Sequence, residues 1–181
     1  VDIRDGQMTL EALDDDTFSV ALGVPGFAPS DVPLAGFAAA QRYTLDDGPG
    51  GPVMFAAVSF GNPHAVLDVA DIDTAPVATL GPALESHRVF PERVNVGFRQ
   101  IVARDHIRLR VFERGAGETL ACGSGAAAAV VTAIAAGMLD RDVRVDLAGG
   151  TARVVWDGPG TPAYLIGPAE RVFDGRLAVA G

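Results

Sequence analysis

Most apolar residues of this chain fall in short runs that alternate with polar residues or end at turn signals, a pattern typical of β-strands. The first two runs, Met8–Leu13 and Thr17–Leu22, are joined by "DDD" and predict a β-hairpin. Val94–Ala103 and Ile107–Phe112 predict a second strand pair on either side of "RDH". The other predicted strands are Val53–Ser59, Ala65–Val69, Arg144–Leu147, Thr151–Trp156, Ala163–Ile166 and Val172–Leu177.

Two segments predict helices. In "TAPVATLGPALESH", Thr74–His87, apolar residues recur at roughly helical spacing, although Pro82 interrupts the pattern. Gly125–Ala136 is apolar on almost every face, which is typical of a buried helix, and Gly137 is a natural C-terminal stop. Ser124 is the expected N-cap of this helix. Strands dominate and no βαβ alternation or phosphate-binding loop is visible, so the pattern predicts an α+β fold.

Length and charge limit the function classes. The chain has 181 residues, enough for one domain or two small lobes with a proper core. Its net charge of −9 argues against nucleic acid and against an anionic membrane surface as partners. The longest apolar run, Ala126–Ala136, is too short to span a bilayer, and no signal peptide is visible. These features predict a cytoplasmic protein without a membrane partner.

Residue types that are missing narrow the chemistry. All 14 basic residues are arginines, so no lysine can form a Schiff base with pyridoxal phosphate or with a carbonyl substrate. No set of His, Cys, Asp and Glu has the spacing of metal ligands, so we expect neither a metal nor a cofactor. The single cysteine, Cys122, cannot form an intrachain disulfide, which fits a reducing compartment.

Cys122 lies in "ACGSG", directly before the predicted buried helix. The free N–H groups and the positive dipole end of a helix favour an anion, so this position predicts a thiolate with a lowered pKa or a bound carboxylate. The alternative is a small buried cysteine at a tight turn, a common role for free cysteine. Glu113 and Arg114 precede it across a glycine-rich loop, and they favour a site in which an anionic substrate group meets the guanidinium.

Other polar residues stand at or near strand ends. The segment "GNPH", Gly61–His64, follows a buried strand and is either an ordinary turn or part of a site. Asn95 lies inside an apolar strand, and a buried asparagine must find hydrogen-bond partners in the backbone or in a ligand. His87 and His106 have the context of surface or loop residues.

Four motifs, "GNPHAV", "ATLGPALESH", "FPERVNVGF" and "VFERGAGETLACGSGAAAA", resemble the diaminopimelate epimerase family, in this order and at comparable intervals. The resemblance runs across nearly the whole chain, and the last motif is highly specific. It implies a lobe whose strands are wrapped around a central buried helix, with the active site in the cleft between two such lobes. It also implies interconversion of LL- and meso-diaminopimelate, for lysine and peptidoglycan precursors, by one cysteine on each face of the substrate α-carbon and without pyridoxal phosphate.

The resemblance implies roles for individual residues. Cys122 matches the second catalytic cysteine of the family. Gly123 and Ser124 match the backbone positions that hold the substrate α-carboxylate, and Ser124 stands where threonine is common. Asn62 and Asn95 match asparagines that contact the substrate.

Further matches concern charged residues and the partner lobe. Glu113 with Arg114 corresponds to a substrate-binding pair, and His64 and Glu113 correspond to positions thought to tune the thiols. The family's first cysteine motif, similar to "CGNGxRC", has no counterpart in this chain. The resemblance therefore implies that the other catalytic cysteine lies in a lobe outside it.

The resemblance also divides the chain. Residues 1–22 correspond to the end of an N-terminal lobe, residues 23–167 to the C-terminal epimerase lobe, and residues 168–181 to a strand that returns to the N-terminal lobe. We therefore expect the missing N-terminal lobe as partner, diaminopimelate as small-molecule substrate, and a homodimer as assembly. The chain without its partner lobe should be inactive.

Other functions stay open at this point. The first is a cofactor-independent racemase or isomerase of the same fold that acts on another substrate. The second is a thiol hydrolase in which His64 acts as base for Cys122. The third is a non-catalytic binding lobe. The context of Cys122, together with Asn62 and Asn95, favours the epimerase.

Overall fold

The computed structural model describes residues 2–3, 6–7, 9–14, 16–170 and 172–176. The strands are β1 (Asp2–Ile3), β2 (Gly6–Gln7), β3 (Leu10–Asp14), β4 (Thr17–Gly23), β5 (Tyr43–Leu45), β6 (Val53–Ser59), β7 (Pro63–Asp68), β8 (Asn95–Ala103), β9 (His106–Glu113), β10 (Gly117–Thr119), β11 (Asp142–Leu147), β12 (Gly150–Trp156) and β13 (Ala163–Pro168). The helices are α1 (Val77–Glu85) and α2 (Gly123–Ala135). Met8 and Leu177, which belong to predicted strands, lie outside the described residues.

One long sheet organises the chain, in the strand order β3-β4-β13-β12-β11-β9-β8-β7-β6-β5, with β10 paired to β9 beside this path. The predicted hairpins, β3–β4 and β8–β9, are confirmed. β7 and β8 are parallel, as are β9 and β11, and each parallel pair is connected through a helix. The expectation of no βαβ alternation is therefore wrong. Each of these helical connections is flanked by antiparallel hairpins. Strands and helices therefore do not alternate regularly along the sequence, and the pattern does not reveal the parallel pairs.

Helix α2 is enclosed by strands and forms the centre of one hydrophobic core. Every residue from Gly125 to Ala133 is buried, and the helix contacts β6, β7, β8, β9, β12 and β13. Its alanine and valine side chains are small, so strands can approach it closely on several sides. The predicted α+β fold, with strands wrapped around a central buried helix, is confirmed.

Both ends of α2 follow from local sequence. At the C-terminus Gly137 adopts a left-handed φ of 72°, and its N–H donates to Ile134 O at 2.9 Å, while the next N–H along the chain donates to Ala133 O at 2.9 Å. These hydrogen bonds form a Schellman motif, so the predicted stop at Gly137 is confirmed. At the N-terminus the N-cap is Cys122 and not Ser124, because Ser124 already lies inside the first helical turn.

Helix α1 belongs to a second core at the other end of the sheet, between α1 and strands β5 to β8. Val77 and Leu84 are fully buried there and share an apolar cluster with Phe55 and Phe90. The helix occupies the middle of the predicted segment Thr74–His87 and is shorter at both ends than the apolar pattern suggests.

The turn between β6 and β7 is shorter than the predicted loop. β7 begins at Pro63, so His64 is a strand residue, and the turn before it consists of Phe60, Gly61, which has a left-handed φ of 86°, and Asn62. The tight turn lets β7 pair with β6 from its first residue, since Ser59 lies opposite Pro63. It also places Asn62 directly before β7 and His64 at its second residue.

The two ends of the chain differ from expectation in different ways. β4 spans the expected lobe boundary at residue 22 and pairs with β13, so this segment continues the sheet. Residues 172–176 form no strand, although the sequence predicts one at Val172–Leu177, because no strand of the described part pairs with them and Val172 is 87% exposed. The assignment of residues 1–22 and 168–181 to another lobe stays a prediction. In the part of the chain that is described, no helix is long and apolar enough to cross a membrane.

Candidate active site

The polar residues at strand ends meet at one end of the sheet. β7 and β8 run parallel with His64 opposite Asn95, so both strands begin at this end. β9 runs antiparallel to β8, and its last residue, Glu113, therefore arrives at the same place, followed by Arg114. The N-terminus of α2, at Cys122, completes the cluster. The strand directions thus bring together residues that are far apart in the sequence.

The Cys122 side chain packs against the first turn of α2 and is 7% exposed. Cys122 has an extended backbone (φ −137°, ψ 107°), and its carbonyl accepts the first helical hydrogen bond, from Ala126 N–H at 2.9 Å. Gly125 leaves room for the sulfur, because a Cβ at this residue would lie 3.1 Å from Cys122 Sγ. Gly123 packs against β13, where a Cβ would lie 2.7 Å from Leu165 Cδ2. A Cβ at either glycine of "CGSG" would therefore displace a neighbouring side chain, the Cys122 sulfur at Gly125 or the end of Leu165 at Gly123.

A series of side-chain contacts leads from the thiol to a buried histidine. Cys122 Sγ lies 3.8 Å from Ser124 Oγ, which accepts a hydrogen bond from Asn62 Nδ2 at 3.2 Å. Asn62 Oδ1 lies 3.3 Å from His64 Nε2. Because an amide oxygen can only accept, we assign the imidazole proton to Nε2 in this contact. Two intervening side chains thus separate the imidazole from the thiol.

His64 is neutral at physiological pH. Its residue is 1% exposed, and this burial lowers the pKa of the imidazole to about 3, with the positive charge of Arg114 acting in the same direction. A general base works best with a pKa near the working pH. Both the position and the protonation of His64 therefore disagree with a Cys–His pair in which this residue activates Cys122.

Asn95 connects two parts of the cluster. The residue is 4% exposed, its Nδ2 donates to Pro63 O at 2.9 Å, and its Oδ1 accepts a hydrogen bond from Arg114 N–H at 2.9 Å. The sequence left open whether the backbone or a ligand satisfies this buried amide, and the structure shows hydrogen bonds to the backbone. The amide retains one N–H and one lone pair for a further partner. Asn95 therefore links the Asn62–His64 segment to the backbone of Arg114 through these two hydrogen bonds.

The surroundings of Cys122 favour the thiol over the thiolate. Burial raises the pKa of the Cys122 thiol and the negative charge of Glu113 raises it further, while the Gly125 N–H and the Ser124 hydroxyl lower it. The prediction of a lowered pKa is therefore wrong, because the cost of burying a charged sulfur exceeds the stabilisation from the helix N-terminus. Glu113 is held in place by Thr119, whose hydroxyl donates to Oε1 at 2.5 Å.

Two buried charged residues, Glu85 and Arg99, were not predicted from the sequence. Glu85, the last residue of α1, is 4% exposed, and its Oε1 accepts a hydrogen bond from Gly115 N–H at 3.0 Å. Arg99 lies fully buried in β8, where its Nε donates to Asp68 Oδ1 at 2.8 Å and its Nη1 donates to Thr132 Oγ1 of α2 at 3.0 Å. The available signal was a charged residue within an otherwise apolar helix or strand, since a buried charge must find partners.

The two remaining histidines take part in other contacts. His87 Nε2 lies 3.6 Å from Asp47 Oδ1, and His106 Nε2 lies 2.7 Å from Asp146 Oδ2. Both are partly buried; His87 lies in the loop after α1, as expected, whereas His106 is the first residue of β9, so the expectation needs correction for His106 alone. In the described part of the chain, no group of three or more His, Cys, Asp or Glu residues could hold a metal ion.

Solved structures of several isomerases are similar to this chain in fold. Methylitaconate-delta-isomerase is 15% identical with a TM-score of 0.60, over 94% of this chain and 59% of the other. A hydroxyproline epimerase from Agrobacterium vitis is 17% identical with a TM-score of 0.59, over 89% and 53%. A probable proline racemase from Agrobacterium radiobacter K84 is 18% identical with a TM-score of 0.55, over 88% and 54%. The chain thus spans between 53% and 59% of the length of these structures.

A family comparison covers the site itself. The sequence model of the diaminopimelate epimerase family matches residues 56–172, well over half of the chain. This range runs from within β6 to beyond β13 and includes the cluster from Asn62 to Ser124. The motifs, the fold and the family match agree, and the chain belongs to the diaminopimelate epimerase family.

Proposed function

We propose that this chain is the C-terminal lobe of an enzyme that interconverts LL- and meso-diaminopimelate without pyridoxal phosphate. Cys122 is one of two catalytic cysteines, and a lobe outside the chain supplies the other, because this chain contains one cysteine. The observation that carries the proposal is that Asn62 binds Ser124 beside the buried Cys122 thiol at the start of α2, while Asn95 binds the Arg114 N–H at the same end of the sheet. These residues also match the family motif.

Epimerisation requires one proton to leave the α-carbon and another to arrive on the opposite face. In the proposed reaction a thiolate of the other lobe removes the α-proton, and the electron pair of the broken C–H bond stays on carbon. The Cys122 thiol then donates its proton from the other side and becomes a thiolate. Protons balance, and the reverse reaction uses the same two sulfurs with exchanged roles. The raised pKa of Cys122 supports the donor role, because it keeps the sulfur protonated before the reaction.

The polar groups of the cluster suit an amino-acid substrate. In the proposal the substrate α-carboxylate accepts hydrogen bonds from the N–H groups of Gly123 and Ser124, where the helix N-terminus favours an anion. The Arg114 guanidinium binds a carboxylate, the Glu113 carboxylate accepts from a substrate ammonium group, and Asn62 supplies an amide beside Ser124. Donors held in place around the carboxylate stabilise the negative charge that develops after proton removal.

The test is α-proton exchange in D₂O, followed by proton NMR, with the full-length protein and LL-diaminopimelate. We expect deuterium at the α-carbon together with inversion to the meso form. The Cys122→Ser variant should lose about 10²- to 10⁴-fold in epimerisation rate, the usual contribution of a general acid or base. Asp140→Asn is a matched control, because Asp140 forms an exposed ion pair with Arg104 at the opposite end of β9.

The same assay separates the other candidates. Exchange with proline or hydroxyproline, and none with diaminopimelate, would retain the two-thiol reaction and replace the substrate. Unchanged epimerisation in Cys122→Ser would overturn the role of Cys122. The 181-residue chain without its partner lobe should not exchange the α-proton, because an open site cannot exclude water from the developing charge.

The contacts of His64 count against one alternative function, and a second alternative stays a candidate. The thiol hydrolase is disfavoured, because His64 is buried, neutral and separated from Cys122 by Asn62 and Ser124. A racemase or isomerase of the same fold with another substrate stays the second candidate, and the similar folds of the proline racemase and hydroxyproline epimerase support it. The partner lobe, the homodimer and the cytoplasmic location stay predictions.

A further inference from the structure

Arg114 is presented by a tight turn at the end of β9. Ala116 N–H donates to Glu113 O at 3.2 Å, which closes a four-residue turn with Arg114 and Gly115 in the middle. Gly115 has a φ of 76°, the sign that a type II turn requires at its third residue and that glycine adopts without strain. The N–H groups of the two middle residues are not used within such a turn and must find partners elsewhere.

Buried side chains from two other elements bind both of these N–H groups. Arg114 N–H donates to Asn95 Oδ1 at 2.9 Å, and Gly115 N–H donates to Glu85 Oε1 at 3.0 Å. The two N–H groups belong to the peptide units on either side of the Arg114 Cα. Together the two hydrogen bonds therefore restrict both backbone dihedrals of Arg114.

Glu85 also binds Arg93, which is adjacent to the residue that accepts a hydrogen bond from the Arg114 side chain. Its other oxygen, Oε2, lies 3.2 Å from Arg93 Nη2. Arg93 closes the turn after α1, where its N–H donates to Phe90 O at 2.8 Å, and it adopts a left-handed φ of 61°. Glu92, the residue before it, offers its carbonyl oxygen to Arg114 Nη1 at 3.0 Å. One carboxylate thus supports both the backbone turn and the side-chain position of Arg114.

The burial of Glu85 makes these contacts specific for a carboxylate. Its side chain is 5% exposed, and a carboxylate removed from water is destabilising unless charged and N–H partners compensate it. Arg93 supplies the charge and Gly115 supplies the N–H group. A glutamine has the same shape, but its NH₂ group would face either Arg93 or the Gly115 N–H, and neither can accept a hydrogen bond from it.

We propose that Glu85 is a positioning residue for Arg114 in the binding of a substrate carboxylate. This inference rests on the proposed function, in which Arg114 binds that carboxylate, and it adds a residue that touches neither the substrate nor the reacting atoms. Loss of the Glu85 carboxylate releases the turn at Gly115 and displaces the guanidinium. Cys122, which is held by α2 and not by this turn, stays in place.

The kinetic test uses the full-length protein and LL-diaminopimelate, with Glu85→Gln, Arg114→Ala, the double variant and the Asp140→Asn control. Glu85→Gln should raise KM about 10-fold or more, with kcat changed less than about three-fold, because a displaced guanidinium weakens binding more than proton transfer. In the Arg114→Ala background the same change should raise KM less than about two-fold, since the residue to be positioned is gone. An equal rise of KM in both backgrounds would overturn the proposal.

Hydrogen exchange of the Gly115 amide, followed by NMR, gives a second readout that needs no substrate. Exchange should accelerate about 10-fold or more in Glu85→Gln and stay unchanged in Asp140→Asn, because Glu85 binds this N–H. Arg93→Asn serves if Glu85→Gln does not fold, since asparagine tolerates the left-handed φ and is too short to keep the ion pair. It should raise KM and speed Gly115 exchange in the same direction.

The outcomes separate this inference from the proposed function. An unchanged Gly115 exchange rate in the folded Glu85 variant, or in Arg93→Asn where that variant does not fold, overturns the positioning role whatever the substrate is. Faster Gly115 exchange, in a protein that leaves the α-proton of diaminopimelate untouched, supports the contact and contradicts the choice of substrate. The kinetic cycle is then run with the amino acid that the protein does exchange, and a KM effect that depends on Arg114 remains the expected result.

Discussion

The free energy of unfolding should fall in mild acid because His64 is buried in its neutral form. Burial holds the pKa of His64 at about 3 in the folded protein, against an ordinary value of 6.5. Below the ordinary value the unfolded chain binds a proton that the folded protein does not bind. The contribution of His64 to stability is therefore complete above about pH 6.5 and is lost as the pH falls toward 3.

The size of the effect follows from proton linkage. One pKa unit corresponds to about 1.36 kcal/mol, so His64 should lower the free energy of unfolding by about 2 kcal/mol between pH 7 and pH 5. This figure depends on the unfolded histidine alone, provided that the folded imidazole stays neutral at pH 5. Burial at 1% exposure, together with the nearby charge of Arg114, is the physical reason to expect that it does.

Urea unfolding at pH 7 and pH 5 measures the effect in the wild type, His64→Gln and His87→Gln. His64→Gln removes the titrating group, and its loss of packing lowers stability at both pH values and cancels in the difference. The wild-type drop from pH 7 to pH 5 should exceed the His64→Gln drop by about 2 kcal/mol. His87→Gln, which removes a histidine outside the site, should leave the large drop in place. Equal drops in wild type and His64→Gln, within about 0.5 kcal/mol, would show that folded His64 accepts a proton and would refute the reasoning from burial.

Other predictions concern the thiol and its neighbours. Alkylation of Cys122 by iodoacetamide should have a pH midpoint above the ordinary thiol value of about 8.5, and Glu113→Gln should lower it, because burial and that negative charge raise the pKa. A midpoint below this value would show that the helix terminus outweighs burial. Arg114→Lys should raise KM for diaminopimelate about 10-fold or more in steady-state kinetics, because an ammonium cannot form two parallel hydrogen bonds with a carboxylate. Gly125→Ala should lower the urea-derived free energy of unfolding by up to about 2 kcal/mol, because overpacking against the sulfur costs about 1–3 kcal/mol and the higher helix propensity of alanine offsets about 1 kcal/mol, and a more stable variant would contradict the packing argument.

Short-range signals were sufficient for many of the elements. Val53–Ser59 is a run of mostly apolar residues between turns, and the strand has these bounds. The hairpin around "RDH" and the helix stop at Gly137 also depend on near neighbours in the chain. Val172–Leu177 has a similar composition, yet residues 172–176 form no strand, because a strand also requires a partner and composition does not reveal one.

The burial of α2 follows from the sequence alone, whereas the site residues named from the sequence rest on the resemblance of motifs. A helix that is apolar on almost every face is stable only when other elements cover it, and the family motifs name residues by their order in the chain. The protonation states of His64 and Cys122 depend instead on the folded arrangement, since burial and charges from distant segments set a pKa. The same holds for Glu85, whose contact with Gly115 exists because α1 ends where β9 ends. A local sequence pattern cannot reveal such a contact, because the two residues are far apart in the sequence and become neighbours only when the strands pair.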